Sequence, residues 1–136
     1  MASASWVLQQ AIYQALTNDG PLVALLGAAR VWDDVPERAA FPYVTFAAGT
    51  ERDWSTGGEA GAEHAVTLHV FSRAGGRKEA QEIIAALRAV LHEAALTLTG
   101  QRLINLRHEA SDVRRDADGE TYHGIVRFRA VTEPAP

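Results

Sequence analysis

The stretch that decides the fold is 102–132: RLINLRHEASDVRR (102–115), DADG (116–119) and ETYHGIVRFRAVT (120–132). Two runs rich in β-branched and aromatic residues flank an Asp118-Gly119 turn signal, which reads as a β-hairpin of strands at about 102–115 and 120–132. A two-residue turn at Asp118-Gly119 puts Phe128 opposite Glu109 and Tyr122 opposite Arg115, mixing apolar and charged residues on one face. A three-residue loop, Ala117-Asp118-Gly119 with Gly119 left-handed, instead pairs Asp116 with Glu120, Ala110 with Val126, His108 with Phe128 and Leu106 with Ala130. One face is then apolar throughout. A one-residue slip inverts every side chain, so burial selects the three-residue loop.

The other face of this ribbon carries Arg107, Glu109, Ser111 and Val113 on one strand. On the other strand it carries His123, Ile125, Arg127, Arg129 and Val131, with Glu109 facing Arg127. Aliphatic residues mixed with arginines suit a subunit contact. Valine and isoleucine are also ordinary on solvated strands, because β propensity favours them.

Working outward, an apolar stripe of Ala80, Ile83, Ile84, Leu87, Val90, Leu91 and Ala94 follows Gly75-Gly76, with Arg77, Glu82, Arg88 and Glu93 off it. This is the strongest amphipathic helix in the chain, and its stripe must lie on a sheet. Residues 5–18 read as a helix with Leu8, Ile12, Ala15 and Leu16 on one face and Ser5 as N-cap. Asn18 to Pro21 end it, a short helical turn runs from Pro21 to Leu26, and Gly27 stops that turn. Short strands are expected at Arg30–Asp33 and Tyr43–Ala48, and a longer one at Ala62–Ser72 with Val66, Leu68 and Val70 inward. Residues 51–61 read as a long polar loop, and 133–136 as a loose tail. The expectation is one α+β domain over 1–136, with no repeat or internal linker. It consists of a small, mainly antiparallel sheet, the long helix on one face, and the N-terminal helix beside it or at its edge.

Composition bounds the function. The chain has 136 residues, 47% of them apolar, enough for a real core. It has no cysteine, which excludes disulfides, thiolate catalysis and cysteine metal sites. Seventeen acidic against thirteen basic residues give a net charge of −4, against tight, general nucleic-acid binding. Lys78 is the only lysine; the other basic residues are arginine, the cation favoured at protein interfaces. No secretory signal and no run near the ~20 apolar residues of a membrane span is apparent, so the chain reads as soluble.

Catalytic constellations are not apparent. His64 and His69 fall on opposite faces of one strand, and His108 and His123 on opposite faces of the hairpin with His123 opposite Val113; with His92, they read as satisfied or surface histidines. No H-E-x-x-H or G-x-S-x-G occurs. Gly75-Gly76-Arg77-Lys78 lacks the frame of a phosphate-binding loop and reads as a strand-to-helix turn. Asp116-Ala117-Asp118-Gly119-Glu120 lacks the further ligands of a calcium loop and reads as turn chemistry. No catalytic, cofactor or metal residue is therefore assigned. Trp54, set among Arg52, Asp53 and glycines where no core periodicity claims it, is a candidate partner contact; the alternative is that its loop folds back over the sheet edge. The candidate interface set is Arg52, Trp54, Arg107, Glu109, Val113, Ile125, Arg127 and Arg129.

The order of motifs resembles the tail-completion, or tail-terminator, proteins of long-tailed phages, prophages and gene transfer agents. The residues that carry the resemblance are Leu8 to Tyr13, then Leu16, Asp19, Leu22 and Leu25-Leu26-Gly27. They continue with Arg30-Val31-Trp32-Asp33, Val35-Pro36 and Phe41 to Phe46, and close with Asp118 to Ala130. Trp32 stands where the family often shows Tyr. The resemblance implies a structural virion protein, made in the bacterial cytoplasm, that forms a homohexameric ring. That ring caps the head-proximal end of the tail tube, binds tail-tube and neck or stopper proteins, and lets DNA through without specific binding. It implies no cofactor and no membrane. Two other readings compete: a neck adaptor or stopper at the head–tail connection, and a small ligand-binding or hydrolase domain, which would need a polar pocket joining His69 or His108 to carboxylates.

Overall fold

The structure, a computed structural model, describes residues 3–136. Three helices and six strands follow in the order α1 (Ala4–Thr17), α2 (Gly20–Leu26), β1 (Val31–Trp32), β2 (Tyr43–Phe46), β3 (Thr50–Asp53), β4 (Ala62–Ser72), α3 (Lys78–Leu91), β5 (Gln101–Arg115) and β6 (Tyr122–Pro134). The strands form one sheet in the order β1-β2-β4-β6-β5, with β3 also on β4. Among the described residues, β1–β2 is the one parallel pair. This is the expected α+β architecture. No helix among the described residues is long and apolar enough to cross a membrane.

All three helices pack on one sheet face. Leu8, Ile12 and Leu16 of α1, Leu22 and Leu26 of α2, and Ile83, Leu87 and Leu91 of α3 close over Val44, Leu68, Val70, Leu106, Val126 and Phe128. The stripe spacing of α1 and α3 makes this burial possible. The cap of α1 is Ser3, whose Oγ accepts from Trp6 N, and not Ser5. Asp19 caps α2, and Gly27 ends it with a φ of 85°, as expected. α3 stops at Leu91, short of Ala94.

Residues 51–61 are not a free loop. β3 pairs with β4 through Thr50↔Ala65 to Asp53↔Ala62, and the ribbon continues through Trp54 N to Gly61 O (2.9 Å). Gly57 and Gly58, at φ 52° and 89°, close it in the left-handed pattern of a type I′ turn. β2 and β3 lie along the same edge of β4, separated by a bend at Gly49, where a Cβ would sit 2.7 Å from the Ala65 carbonyl oxygen.

Beyond a first register shift at Ile104, between Leu103↔Thr132 and Asn105↔Val131, the β5–β6 hairpin combines both candidate registers. Near its base, Leu106↔Ala130 and His108↔Phe128 follow the register chosen by burial. Nearer the tip, Ala110↔Arg127, Val113↔Gly124 and Arg115↔Tyr122 follow the one rejected. Glu109 is the extra residue of a β-bulge that joins the two. The tip is a four-residue loop, Ala117–Glu120, closed by Asp116 N to Thr121 O (2.8 Å), and not the three-residue loop expected. Ala110↔Val126, Asp116↔Glu120 and His123 opposite Val113 are therefore corrected, and Glu109 does not face Arg127. β6 also runs through Pro134, with Glu133 ion-paired to Arg102, so the segment expected to be loose is partly in the ladder.

Candidate interaction surface

The helices leave the opposite sheet face bare. Register places Tyr43 and Thr45 of β2 there, then Glu63, Ala65, Thr67, His69 and Phe71 of β4. His123, Ile125, Arg127, Arg129 and Val131 of β6 come next, followed by Arg107, Ala110, Asp112 and Arg114 of β5.

At one end of this face, Glu63 gathers three of the candidate residues. Its carboxylate accepts from Arg52 Nε at 2.6 Å and from Arg129 Nε at 2.5 Å. The Arg129 guanidinium also lies 4.9 Å from the centre of the Trp54 ring. Desolvation pushes the Glu63 carboxyl up, but the hydrogen bonds and charges of Arg129 and Arg52 outweigh it and hold the group below the usual carboxylate range. Glu109 shares a shallow depression with Glu63, Arg52 and Arg129. Trp54 is thus partly folded onto the sheet, as one of its two readings required, and still 44% exposed.

The remaining candidates divide. Arg127 is exposed in the middle of the face, between the short side chains of Thr67 and Ala110. Arg107 turns around the β5 edge to Glu93 (3.0 Å). Ile125 and Val131 do lie on this face but are only 7% and 6% exposed, covered within the chain. Val113 does not belong to the set. The Glu109 bulge inverts its direction, so it pairs with Gly124 and packs against the core.

The other end of the face holds a row of rings that single-strand reading missed. Arg73 stacks over Phe41 (4.2 Å), and Phe41–Tyr43, Tyr43–Phe71 and Phe71–His123 follow at 5.2, 5.2 and 4.5 Å. His123 Nε2 and His69 Nδ1 share a hydrogen bond of 2.7 Å, and Asp116 lies 3.6 Å from His123 Nδ1. Burial, then the charges of His123, Arg127 and Arg114, lower the His69 pKa, so that ring stays neutral further into acid than a free histidine. The signal was the pairing of β4 with β6: once Leu68 lies opposite Val126, His69 and His123 fall on the same face.

The remaining histidines are bonded within the fold. His108 Nε2 meets Ser111 Oγ at 2.5 Å, and its ring stands edge-on to Phe128. His64 is buried, with Nε2 2.8 Å from Thr132 Oγ1 and Nδ1 3.3 Å from Ser5 Oγ, while Ser5 Oγ donates to Glu51. That arrangement ties α1 to β3, β4 and β6. Among the described residues, no group of three or more His, Asp or Glu is placed to hold a metal ion. Asp118 accepts from the backbone N–H groups of Glu120 and Thr121 and from the Thr121 hydroxyl, which is turn chemistry.

The family described as tail completion protein gp17 matches residues 10–133. The chain belongs to the tail-completion protein family. This membership carries a structural, tail-related role. Among solved structures, a chain from the virion of a native gene transfer agent particle is similar, with 31% identity and a TM-score of 0.89 over 98% of this chain and 99% of that one. The gp17 protein of bacteriophage SPP1 is similar at 25% identity and a TM-score of 0.61, over 93% of this tail-completion chain and 89% of that one. No curated protein sequence matches significantly.

Proposed function

We propose that this tail-completion protein is a ring-forming terminator. Copies of it close, as a hexamer, on the head-proximal end of a tail tube, stop its growth, and give neck proteins a docking face while DNA passes through the hole. The observation that carries this reading is the end-to-end likeness to a chain of a gene transfer agent virion, TM-score 0.89 with both chains covered almost completely. A part of an assembled particle works through its contacts, and the one-sided helix layer leaves a face on which contacts can form. That face presents arginines, an exposed tryptophan and a row of rings, a composition suited to subunit contacts. Head-to-tail association of unlike patches closes into a ring when the rotation between neighbours is right. The net charge of −4 is compatible with a conduit that does not retain DNA.

Coexpression with the tail-tube protein, followed by electron microscopy and native mass spectrometry, tests the proposal. The expected result is one hexamer at one end of each tube, with tube length limited. Binding along the tube wall, or binding to the portal side alone, would refute it.

A further inference from the structure

A closed ring of identical subunits needs a second surface to meet the bare sheet face, and this inference rests on the ring reading above. The opposite edge of the molecule supplies one. Trp6 and Tyr13 are 46% and 42% exposed and stand seven residues apart on α1, so they share one side of the helix. Together with Gln10 and Asp33 they line an apolar groove. Asp33 is held there by Gln9 Nε2 at 2.8 Å. The loop that follows presents Asp34 and Glu37, both exposed and, among the described residues, without an ion-pair partner. The rim of the groove is acidic and its floor aromatic.

The sheet face has the complementary chemistry. Among the described residues, Arg127 makes no ion pair and no side-chain hydrogen bond, and its neighbours Thr67 and Ala110 are too short to cover it. Arg114 is 61% exposed; its ion-pair partner, the Asp112 carboxylate, is 3.7 Å away, beyond hydrogen-bond distance. An arginine head is satisfied by a carboxylate in the plane of its fork and by an aromatic ring against its face. The groove edge offers both.

We propose that the bare sheet face of one copy seats on the Trp6–Tyr13 groove of the next, with Arg127 reaching Asp34 and Arg114 reaching Asp33. The two surfaces differ and lie on different sides of the chain, so the contact is head-to-tail.

Charge exchange tests the pairing in the full-length chain, alone and on tail tubes. Asp34→Arg and Arg127→Asp should each weaken assembly by about tenfold or more, read by sedimentation velocity, because each sets like charges against one another. A chain carrying both changes should recover. Both positions are exposed, so thermal melts of the variants should match the wild type. Because the chain has no cysteine, an Asp34→Cys/Arg127→Cys chain treated with a short bismaleimide should give a ladder of covalent oligomers, while either single cysteine stops at dimers. If wild-type rings form but the single reversals assemble equally and no ladder appears, this pairing of surfaces is wrong and the ring reading stands. Loss in both single variants without recovery in the double also overturns the pairing. A wild-type chain that never assembles, even on tubes, removes the ring reading and this inference with it.

Discussion

Gly124 of β6 lies against Ile84 of α3, and replacing it should expose how little room the core has there. A Cβ at Gly124 would lie 3.0 Å from Ile84 Cδ1 and 3.3 Å from Val70 Cβ. The first neighbour is the end of a flexible side chain and can swing away. The second is a branched carbon fixed to its strand and cannot. Overpacking of this kind costs about 1–3 kcal/mol. Gly124 has no left-handed φ, so alanine regains about 0.5–1 kcal/mol by restricting the unfolded chain. The net expectation for Gly124→Ala is a loss of about 0–2.5 kcal/mol, and Gly124→Val should be worse. Ile84→Val removes Cδ1 and alone should cost about 0.5–1.5 kcal/mol. In the double variant the missing methyl gives the new Cβ space, so the two losses should sum to less than their separate values. Urea midpoints at constant m-value measure all three proteins. Gly124→Ala more stable than the wild type, or strict additivity in the cycle, would refute the contact geometry.

Three further outcomes are expected. His64 is held neutral by burial, which outweighs the opposing pull of Glu51, so the unfolded chain takes up this proton first as pH falls. Its contribution is complete above the unfolded pKa of about 6.5 and is lost as pH drops through it toward the lower folded value, so His64→Gln should flatten the fall in urea midpoint between pH ~7.5 and ~5.5; an unchanged slope would assign that fall to other groups. The Asp118 carboxyl is lowered to about 2, first by its hydrogen bonds with Thr121 and Glu120. Its contribution is present above the ordinary carboxylate pKa and disappears as pH falls toward the folded value, so Asp118→Ala should shift acid unfolding to higher pH in a circular-dichroism titration. Deleting Glu109 should remove the bulge without moving either half of the hairpin, because His108↔Phe128 and Ala110↔Arg127 then follow as a regular ladder. Cross-strand NOEs for His108–Phe128 and Val113–Gly124 should both survive, and absence of either would show that the bulge does more than join two registers.

The helices were legible in the sequence because their stripes, Leu8-Ile12-Leu16 and Ile83-Leu87-Leu91, are also the core. Burial and period agreed, and propensity had little to decide. β3 was not legible, since Thr50, Glu51, Arg52 and Asp53 are all exposed and alternate in nothing. Their strand is held by ladder bonds to β4, and the only sequence mark is the Gly57-Gly58 turn that closes it. At the C-terminal hairpin, two sound rules gave incompatible registers. Burial of Phe128 and Ala130 governs the base, turn chemistry at Asp118 governs the tip, and an inserted residue lets both hold. The cost of missing it was local: Ser111 and Val113 were assigned to the wrong side, while Arg127 and Arg129 on β6 were not. The cluster of Arg52, Trp54 and Arg129 was anticipated as a set of residues but not as a cluster, because Glu63, which binds it, lies on a strand read only for its inward positions.

Glu109 also gives the ribbon a form of slack. With one unpaired residue at mid-length, the base of the hairpin can stay locked to α3 while the outer half shortens, lengthens or re-aims by a single residue, and the misfit is absorbed at the bulge without reaching the packing around Phe128. A relative that must fit a neighbour of another shape can therefore retune the projecting arm by small insertions and deletions, with no compensating change in its interior.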